Sequence, residues 1–292
     1  MKDIILISGH KGFIGSNIIN ELKKNFKFIK LNKVKKFEKV NSNYSYFKNI
    51  KIKKNQIKSL IYCSYYTPNS RYSDSEQLRL NNIVTKNILY LIKKYKVRTC
   101  IFLSSMAVYN TTKSKAISEK TEVTKQTVYA RSKLRDERRL YGLYKNKHLE
   151  SLTILRLPGV IGKNSKNNFI SNMAKAIITS KKFKVRNPEF KFNNVIHIKT
   201  LVNFIKLILF SSKKKFNIFN LGALKPLKVK KIVRLLILKL NSNYNQISFE
   251  QKKDNGFKIN FNNAKKYGYI AGAVEMELNS YIKDIKFKWI FC

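Results

Sequence analysis

Tyr129 and Lys133 stand four residues apart, and Ser105 closes an apolar run earlier in the chain. On a helix, positions i and i+4 share a face, so the Lys133 ammonium would face the Tyr129 phenol and favour its phenolate or a polarised phenol. That makes Tyr129 a usable proton donor or acceptor near neutral pH. Ser105 follows Phe102-Leu103-Ser104 at the carboxyl end of a strand, where its hydroxyl could hold a reacting oxygen against Tyr129 and stabilise alkoxide charge. Taken singly, Tyr129 reads equally as a helix-start aromatic and Ser105 as a simple cap. A third feature gives them joint meaning. The apolar run Ile4-Ile5-Leu6-Ile7-Ser8 leads straight into Gly9-His10-Lys11-Gly12-Phe13-Ile14-Gly15.

The spacing of these glycines suits a pyrophosphate cradle. The first permits a tight turn after a strand, the second lets a phosphate approach the backbone, and the third lets the next helix pack closely. That helix would aim its N-terminal N–H groups at the anion. Ile14, Ile18, Ile19 and Leu22 recur at helical spacing, with Ser16, Asn17, Asn20 and Glu21 on the other side.

The elements that must position these residues follow βαβ grammar. Strands are expected over Ile4–Ser8, Phe26–Leu31, Ser59–Ser64, Thr99–Ser104 and Leu152–Arg156. They alternate with amphipathic helices, one over Gln77–Lys94 and one from Tyr129 through Leu134, Leu140 and Tyr144. This predicts an α/β fold, a Rossmann-type doubly wound parallel sheet, with ligands at the carboxyl ends of the strands. Beyond Arg156, Pro158, Pro188 and Pro226 punctuate shorter elements, as in a small interwoven C-terminal substrate lobe. The expected domains are a nucleotide-binding domain over 1–157, with 195–224 returning to it, and a lobe made of 158–194 and 225–292.

The 292 residues, 43% of them apolar, suffice for such a core. Lysine and arginine number 61 against 16 acidic residues, a net charge of +45. The basic residues are spread through a chain rich in Asn and Ile and are not interleaved with aromatics along one element. They read as compositional drift, and a nucleic-acid partner is not expected. The alternative from a different class is a non-catalytic, basic nucleotide- or nucleic-acid-binding protein. Cys63, Cys100 and Cys292 have no metal-type spacing and fit a reducing cytoplasm, with Cys63 and Cys100 as buried thiols in apolar strands. His10, His148 and His197 lack partners at ligand spacing, so no metal is expected. The apolar segments Leu201–Phe210 and Ile232–Leu240 are too short and too charged to span a membrane.

Glycine loop, strand-end Ser105 and Tyr129-Ala130-Arg131-Ser132-Lys133 together resemble the extended short-chain dehydrogenase/reductases, the group of nucleotide-sugar epimerases, dehydratases and 4-ketosugar reductases. Asn81, Thr85, Asn87, Ile88 and Leu89 are similar to that family's helix pattern. Arg156 to Gly162, Val195-Ile196-His197-Ile198, Phe219-Asn220-Leu221-Gly222 and Tyr267-Gly268-Tyr269 extend the likeness over nearly the whole chain. The resemblance implies an NAD(P) cofactor held by Gly9, Lys11, Gly12, Phe13, Ile14, Gly15, Asn32, Lys33, Ser64, Asn81, Tyr129, Lys133 and Pro158. Lys133 would hydrogen-bond the nicotinamide ribose, and hydride would pass between the nicotinamide and a sugar carbon. Ser105, Met106 and Gly159 would line the substrate; because Asn193 stands where the family often carries an arginine for the diphosphate, Arg186 or Lys184 is the expected substitute in this chain.

Within the family, three positions narrow the reading. No acidic side chain stands at the end of the second strand, where Asn32 and Lys33 are found, and Lys11 lies in the loop; NADP is therefore favoured over NAD. Met106-Ala107 cannot supply the acid and base that dehydratases place after the serine. The chain is also short for an epimerase, so reduction of a 4-keto sugar leads and 4-epimerisation with tightly held NAD is the alternative. Asn193 and Gly159 depart from the arginine and asparagine common in relatives. A homodimer paired through the two long helices is implied.

Overall fold

The computed structural model describes all residues except 1, 41–42, 48–51, 54, 68–71, 110–115, 124–126, 214, 252–256 and 290–292. Near-continuous apolar runs make strands that can be covered on both faces. Ile4–Ser8 (β1) begins the central sheet, followed by Lys27–Leu31 (β2), Ile57–Tyr62 (β3), Thr99–Ser105 (β4), Ser151–Leu157 (β5) and Phe216–Asn220 (β6). Ile5, Leu6, Ile7, Leu60, Ile61, Ile101, Phe102, Ile154 and Leu155 are all buried.

The six strands lie in the order β6-β5-β4-β3-β1-β2. β1 pairs in parallel with β2 on one side and β3 on the other, so that Ser8 stands opposite both Leu31 and Tyr62. β3 in turn pairs in parallel with β4. This is the expected Rossmann-type parallel sheet. Because β1 is flanked on one side by the strand that follows it and on the other by the next, winding reverses there. A crevice therefore opens beyond the carboxyl ends of β1 and β3. β3 ends two residues earlier than the sequence pattern predicts, which puts Cys63 and Ser64 in the loop at that crevice.

Helices Phe13–Leu22 (α1), Asp74–Tyr95 (α2) and Val128–Lys145 (α3) flank the sheet. α2 starts at a capping box, with Ser73 Oγ accepting the Glu76 N–H and Glu76 accepting the Ser73 N–H at 3.0 Å. Its Ile83, Val84 and Ile88 pack with Leu140 and Leu143 of α3 against Leu60, Phe102 and Ile154. One connection differs from the expected alternation. Between β2 and β3 the chain forms an antiparallel strand pair, Lys33–Val40 with Asn43–Phe47, in place of a crossover helix. That stretch mixes Val34, Phe37, Val40, Tyr44, Tyr46 and Phe47 with lysines, a composition that favours strands.

The chain divides into two compact units: Met1–Thr111, Glu122–Arg156 and Lys206–Phe219 in the first, and Thr112–Thr121, Leu157–Ile205 and Asn220–Cys292 in the second. The segment returning to the first unit is shorter than the expected 195–224. Its expected first strand, Val195–His197, pairs instead with Gly159–Ile161 inside the second unit. That unit has its own core, with Ile170, Met173 and Ile177 packed among Ile232, Val233, Leu236, Val274 and Leu278. No helix among the described residues is long and apolar enough to cross a membrane. Cys100 is a buried free thiol as expected, whereas Cys63, in the loop after β3, is a half-buried one; desolvation pushes both pKa values up, that of Cys63 to about 12. Cys292 lies outside the described residues.

Asn193 ties the second unit together. Its amide oxygen accepts the Ile259 N–H at 2.8 Å, and its NH2 donates to the carbonyls of Ile259 and Ala223 at 3.0 and 3.3 Å. Buried backbone groups left without partners cost about 1–3 kcal/mol. Asn193→Ala should therefore lower unfolding free energy by about 2 kcal/mol in urea denaturation, with little change in m-value.

Candidate active site

Thr127 begins α3 by accepting the Ala130 N–H on its hydroxyl at 3.2 Å, which fixes Tyr129 in the first turn. Tyr129, Lys133, Asp136 and Glu137 then follow at helical spacing on the face turned to the sheet; the last three are buried. Ser105, the last residue of β4, accepts the Ala107 N–H on Oγ at 3.1 Å, and its hydroxyl is hydrogen-bonded to that of Tyr129. The structure thus brings together the serine and tyrosine that the sequence placed far apart.

The electrostatics differ from the sequence expectation. Burial pushes the Tyr129 phenol up to about 12, and the opposing influence is the Ser105 hydrogen bond. Lys133 is 3% exposed and donates to the Leu103 carbonyl at 2.7 Å. Its Nζ lies 3.6 Å from the ring centroid of Tyr65, 4.8 Å from that of Phe102 and 5.8 Å from that of Tyr129. Desolvation lowers the Lys133 pKa to about 7, against the pull of Asp136, Cys63 and Glu137. The i, i+4 spacing holds, but the ammonium is drawn to a carbonyl and an aromatic face.

Sequence reasoning missed the groups around this lysine. The carboxylate of Asp136 accepts from the Tyr65 hydroxyl at 3.0 Å, from Thr85 Oγ1 at 2.7 Å and from Arg135 Nε at 2.9 Å. Glu137 receives Ser104 Oγ at 2.5 Å and both Nε and Nη2 of Arg156, at 3.2 and 2.7 Å. Arg156 also donates to the Tyr109 hydroxyl. The signal was present: Asp136 and Glu137 fall seven and eight residues after Tyr129, on the stripe that the tyrosine and lysine define.

The glycine loop closes the other side of the crevice. Gly9 has φ +71°, and a Cβ there would meet the Ser64 nitrogen at 2.7 Å. The Gly12 N–H donates to the Gly9 carbonyl at 2.9 Å, and a Cβ on Gly15 would run into that same carbonyl. Ser8 Oγ accepts the N–H groups of Cys63 and Ser64 at 3.1 and 3.2 Å, holding the two strand ends side by side. The loop, the strand ends and the α3 face belong to one unit.

Residues 5–222 match the model of the NAD dependent epimerase/dehydratase family. The chain belongs to that family. Among solved structures it is similar to the UDP-glucuronic acid 4-epimerase of Bacillus cereus in complex with UDP-glucuronic acid and NAD. Identity there is 18%, the TM-score is 0.78, and 98% of this chain and 99% of that one are covered. The UDP-N-acetylglucosamine 4-epimerase of Methanobrevibacter ruminantium M1, in complex with UDP-N-acetylmuramic acid, is 19% identical with a TM-score of 0.77, over 99% of this chain and 100% of that. The UDP-glucose 4-epimerase of Thermotoga maritima, with UDP-glucose, is 16% identical with a TM-score of 0.77, over 98% and 99%. A search of the curated proteins gives no match. The expectation that this chain is short for an epimerase is overturned by coverage of these enzymes end to end.

A dinucleotide of the kind this family uses fits the observed cradle. α1 begins at Gly12 with no side-chain cap, and Ser64 Oγ is buried beside Gly9 without a partner. Phe13 and Ile14 form the first turn of α1, and Lys11 is exposed in the loop. At the end of β2, Asn32 donates to the Lys30 carbonyl at 3.4 Å and Lys33 Nζ to the Tyr66 hydroxyl at 2.7 Å. The Asn81 amide clamps the Tyr66 backbone, accepting its N–H at 2.8 Å and donating to its carbonyl at 3.0 Å, so it shapes the loop after β3. Met106 is buried.

Pro158, Gly159 and Arg186 belong to the second unit. Gly159 donates its N–H to the Asn194 carbonyl at 3.2 Å. Arg186 and Lys184 line a cavity of about 470 Å³ walled by Phe169, Phe190, Phe192 and Phe257, and both pair with Glu250, at 3.6 and 3.4 Å.

The buried lysine makes stability depend on pH. Its folded pKa of about 7 lies below the usual 10.5, so between those values the unfolded chain holds a proton that the folded chain has released. Stability contributed by this site therefore rises with pH across that window. Lys133→Met should flatten that rise in denaturation curves measured from pH 7 to 10.

Proposed function

We propose that this protein transfers hydride between a nicotinamide cofactor and a carbon of a nucleotide-linked hexose, and that the net reaction is reduction of a 4-keto sugar. The observation that carries the reading is the contact of Ser105 with Tyr129 at the carboxyl end of β4, on the helix face that also holds Lys133. The bound cofactor supplies the hydride. Ser105 Oγ then turns its proton to the carbonyl oxygen of the sugar, and Tyr129 gives its phenolic proton to that oxygen as it becomes an alcohol. A phenol pushed up to about 12 is protonated at neutral pH, as a donor must be. Lys133 holds the ribose side of the cofactor.

The aromatic cavity of the second unit supports a nucleotide-linked substrate. Phe169, Phe190, Phe192 and Phe257 offer stacking surface, and Lys184 and Arg186 offer cations for a diphosphate. Met106, buried and apolar after Ser105, leaves no acid and base for dehydration. NADP(H) is the proposed form of the cofactor, because Asn32 and Lys33 close β2 without a carboxylate and Lys11 adds a cation in the loop. A second reading, 4-epimerisation with retained NAD, is favoured by the full-length likeness to three 4-epimerases, each solved with a UDP-sugar and one of them also with NAD. In either reading the protein would act in the cytoplasm as a homodimer, with α2 and α3 as the paired helices.

One assay separates the readings. Purified protein is given nucleotide-linked 4-keto sugars with NADPH or NADH, and nucleotide hexoses with no added cofactor. Reduction predicts one reduced cofactor consumed per alcohol formed, faster with NADPH; interconversion of C4 epimers without net cofactor change would establish epimerisation. Tyr129→Phe should lower kcat by roughly 10²–10⁴ in either case. Full activity in that variant would overturn the mechanism. Arg186→Ala should raise the KM for the nucleotide sugar severalfold, and an unchanged KM would remove Arg186 from the site.

A further inference from the structure

We propose that Tyr65 is a positioning residue for this site: one ring, tethered by its hydroxyl to Asp136, sets the place of the Lys133 ammonium and braces Tyr129. The proposal rests on the hydride-transfer reading above. Three distances define it. The Tyr65 hydroxyl donates to Asp136 at 3.0 Å, the ring centroid stands 3.6 Å from Lys133 Nζ, and the ring meets that of Tyr129 edge to face at 5.7 Å between centroids. Tyr129, Lys133 and Asp136 are positions i, i+4 and i+7 of α3, so a single side chain from the loop after β3 spans two turns of the catalytic helix.

Each contact is of a kind that fixes geometry. An ammonium desolvated over an aromatic face is attracted by the ring quadrupole, and it sits there with the Leu103 carbonyl as its other partner at 2.7 Å. Edge-to-face aromatic pairs prefer one relative orientation. The tether cannot drift, because Asp136 is fully buried and is also held by Thr85 and Arg135. Burial and the neighbouring carboxylate push the Tyr65 phenol up, which keeps it a hydrogen-bond donor. Tyr65 also belongs to the segment whose first residues, Cys63 and Ser64, are bound to Ser8 at the glycine loop. It therefore sets the lysine and tyrosine from the same segment that abuts the cradle.

The test compares Tyr65→Phe, which keeps the ring and loses the tether, with Tyr65→Leu, which loses the aromatic face. Calorimetric titration with NADPH and NADH in the absence of sugar reads the lysine end. In wild type, ring current from Tyr65 should move the Lys133 side-chain protons upfield in lysine-labelled protein, the signal being assigned by its loss in Lys133→Met. Tyr65→Leu should reduce that displacement to what Phe102 and Tyr129 leave, weaken cofactor binding by about tenfold and lower kcat by a similar factor with sugar KM nearly unchanged; Tyr65→Phe should retain each within about threefold.

Cofactor affinity and kcat at wild-type values in a folded Tyr65→Leu protein would overturn the proposal. So would equal damage in Tyr65→Phe and Tyr65→Leu, since the ring face would then not be what matters. If Tyr65→Leu does not fold, Tyr65→Met fills comparable space without a π face and takes its place. Failure of wild type to turn over any sugar would sink the hydride-transfer reading, while the calorimetric and ring-current comparison would still decide the role of Tyr65.

Discussion

The burial of one charged helix face is the constraint on which this site depends. α3 must pack against the sheet to complete the core, yet the face it buries carries Lys133, Asp136 and Glu137. Buried charges left unpaired are far costlier than any single apolar contact is stabilising. Each is accordingly satisfied by groups from other elements: Lys133 by the Leu103 carbonyl of β4, Asp136 by α2 and the loop after β3, and Glu137 by Ser104 of β4 and Arg156 of β5. Satisfying those charges fixes the rotation of α3 about its axis. Tyr129, two turns before Glu137, is then delivered to Ser105 without needing a polar anchor deeper in the core.

The crevice is built by a second constraint, close backbone approach. With φ +71° at Gly9 and no room for a Cβ at Gly9 or Gly15, the loop can lie directly against the end of β3. Ser8 joins those two strand ends through its hydroxyl. The loop after β3 therefore answers to the glycine cradle at one end and to α3 at the other. Tyr66, gripped by Asn81 of α2 and bonded to Lys33, extends the same logic to the end of β2.

Much of this was legible because local patterns and tertiary demands agree. The apolar runs of β1, β3, β4 and β5 are buried on both faces, so their composition alone marks them. The i, i+4 spacing of Tyr129 and Lys133 survives because helical geometry is local. What was not legible depends on pairings between distant segments. Tyr65 lies in a run, Tyr62-Cys63-Ser64-Tyr65-Tyr66, whose composition says nothing of which tyrosine turns to α3. Asn193 reads as a missing cation until its amide is seen bonded to Ile259 and Ala223. The Tyr129 pKa was misjudged for a similar reason: spacing gives the shared face of two residues, but burial and the competing Leu103 carbonyl decide where the ammonium points.

Composition bears on how such residues should be weighed. In a chain with 61 basic residues, a lysine at any position carries little information by its type. Burial is what separates Lys133 from the exposed Lys11 and Lys33, because desolvating an ammonium is costly and only a built environment sustains it. The reverse holds for the 16 acidic residues. Among the described residues Asp136, Glu137 and Glu277 are buried, and each gathers several donors from elements distant in sequence. Where acids are scarce, a pair of carboxylates on the same helical stripe as a tyrosine and a lysine is itself a strong indication of that helix's orientation, and it can be read before any coordinates are known.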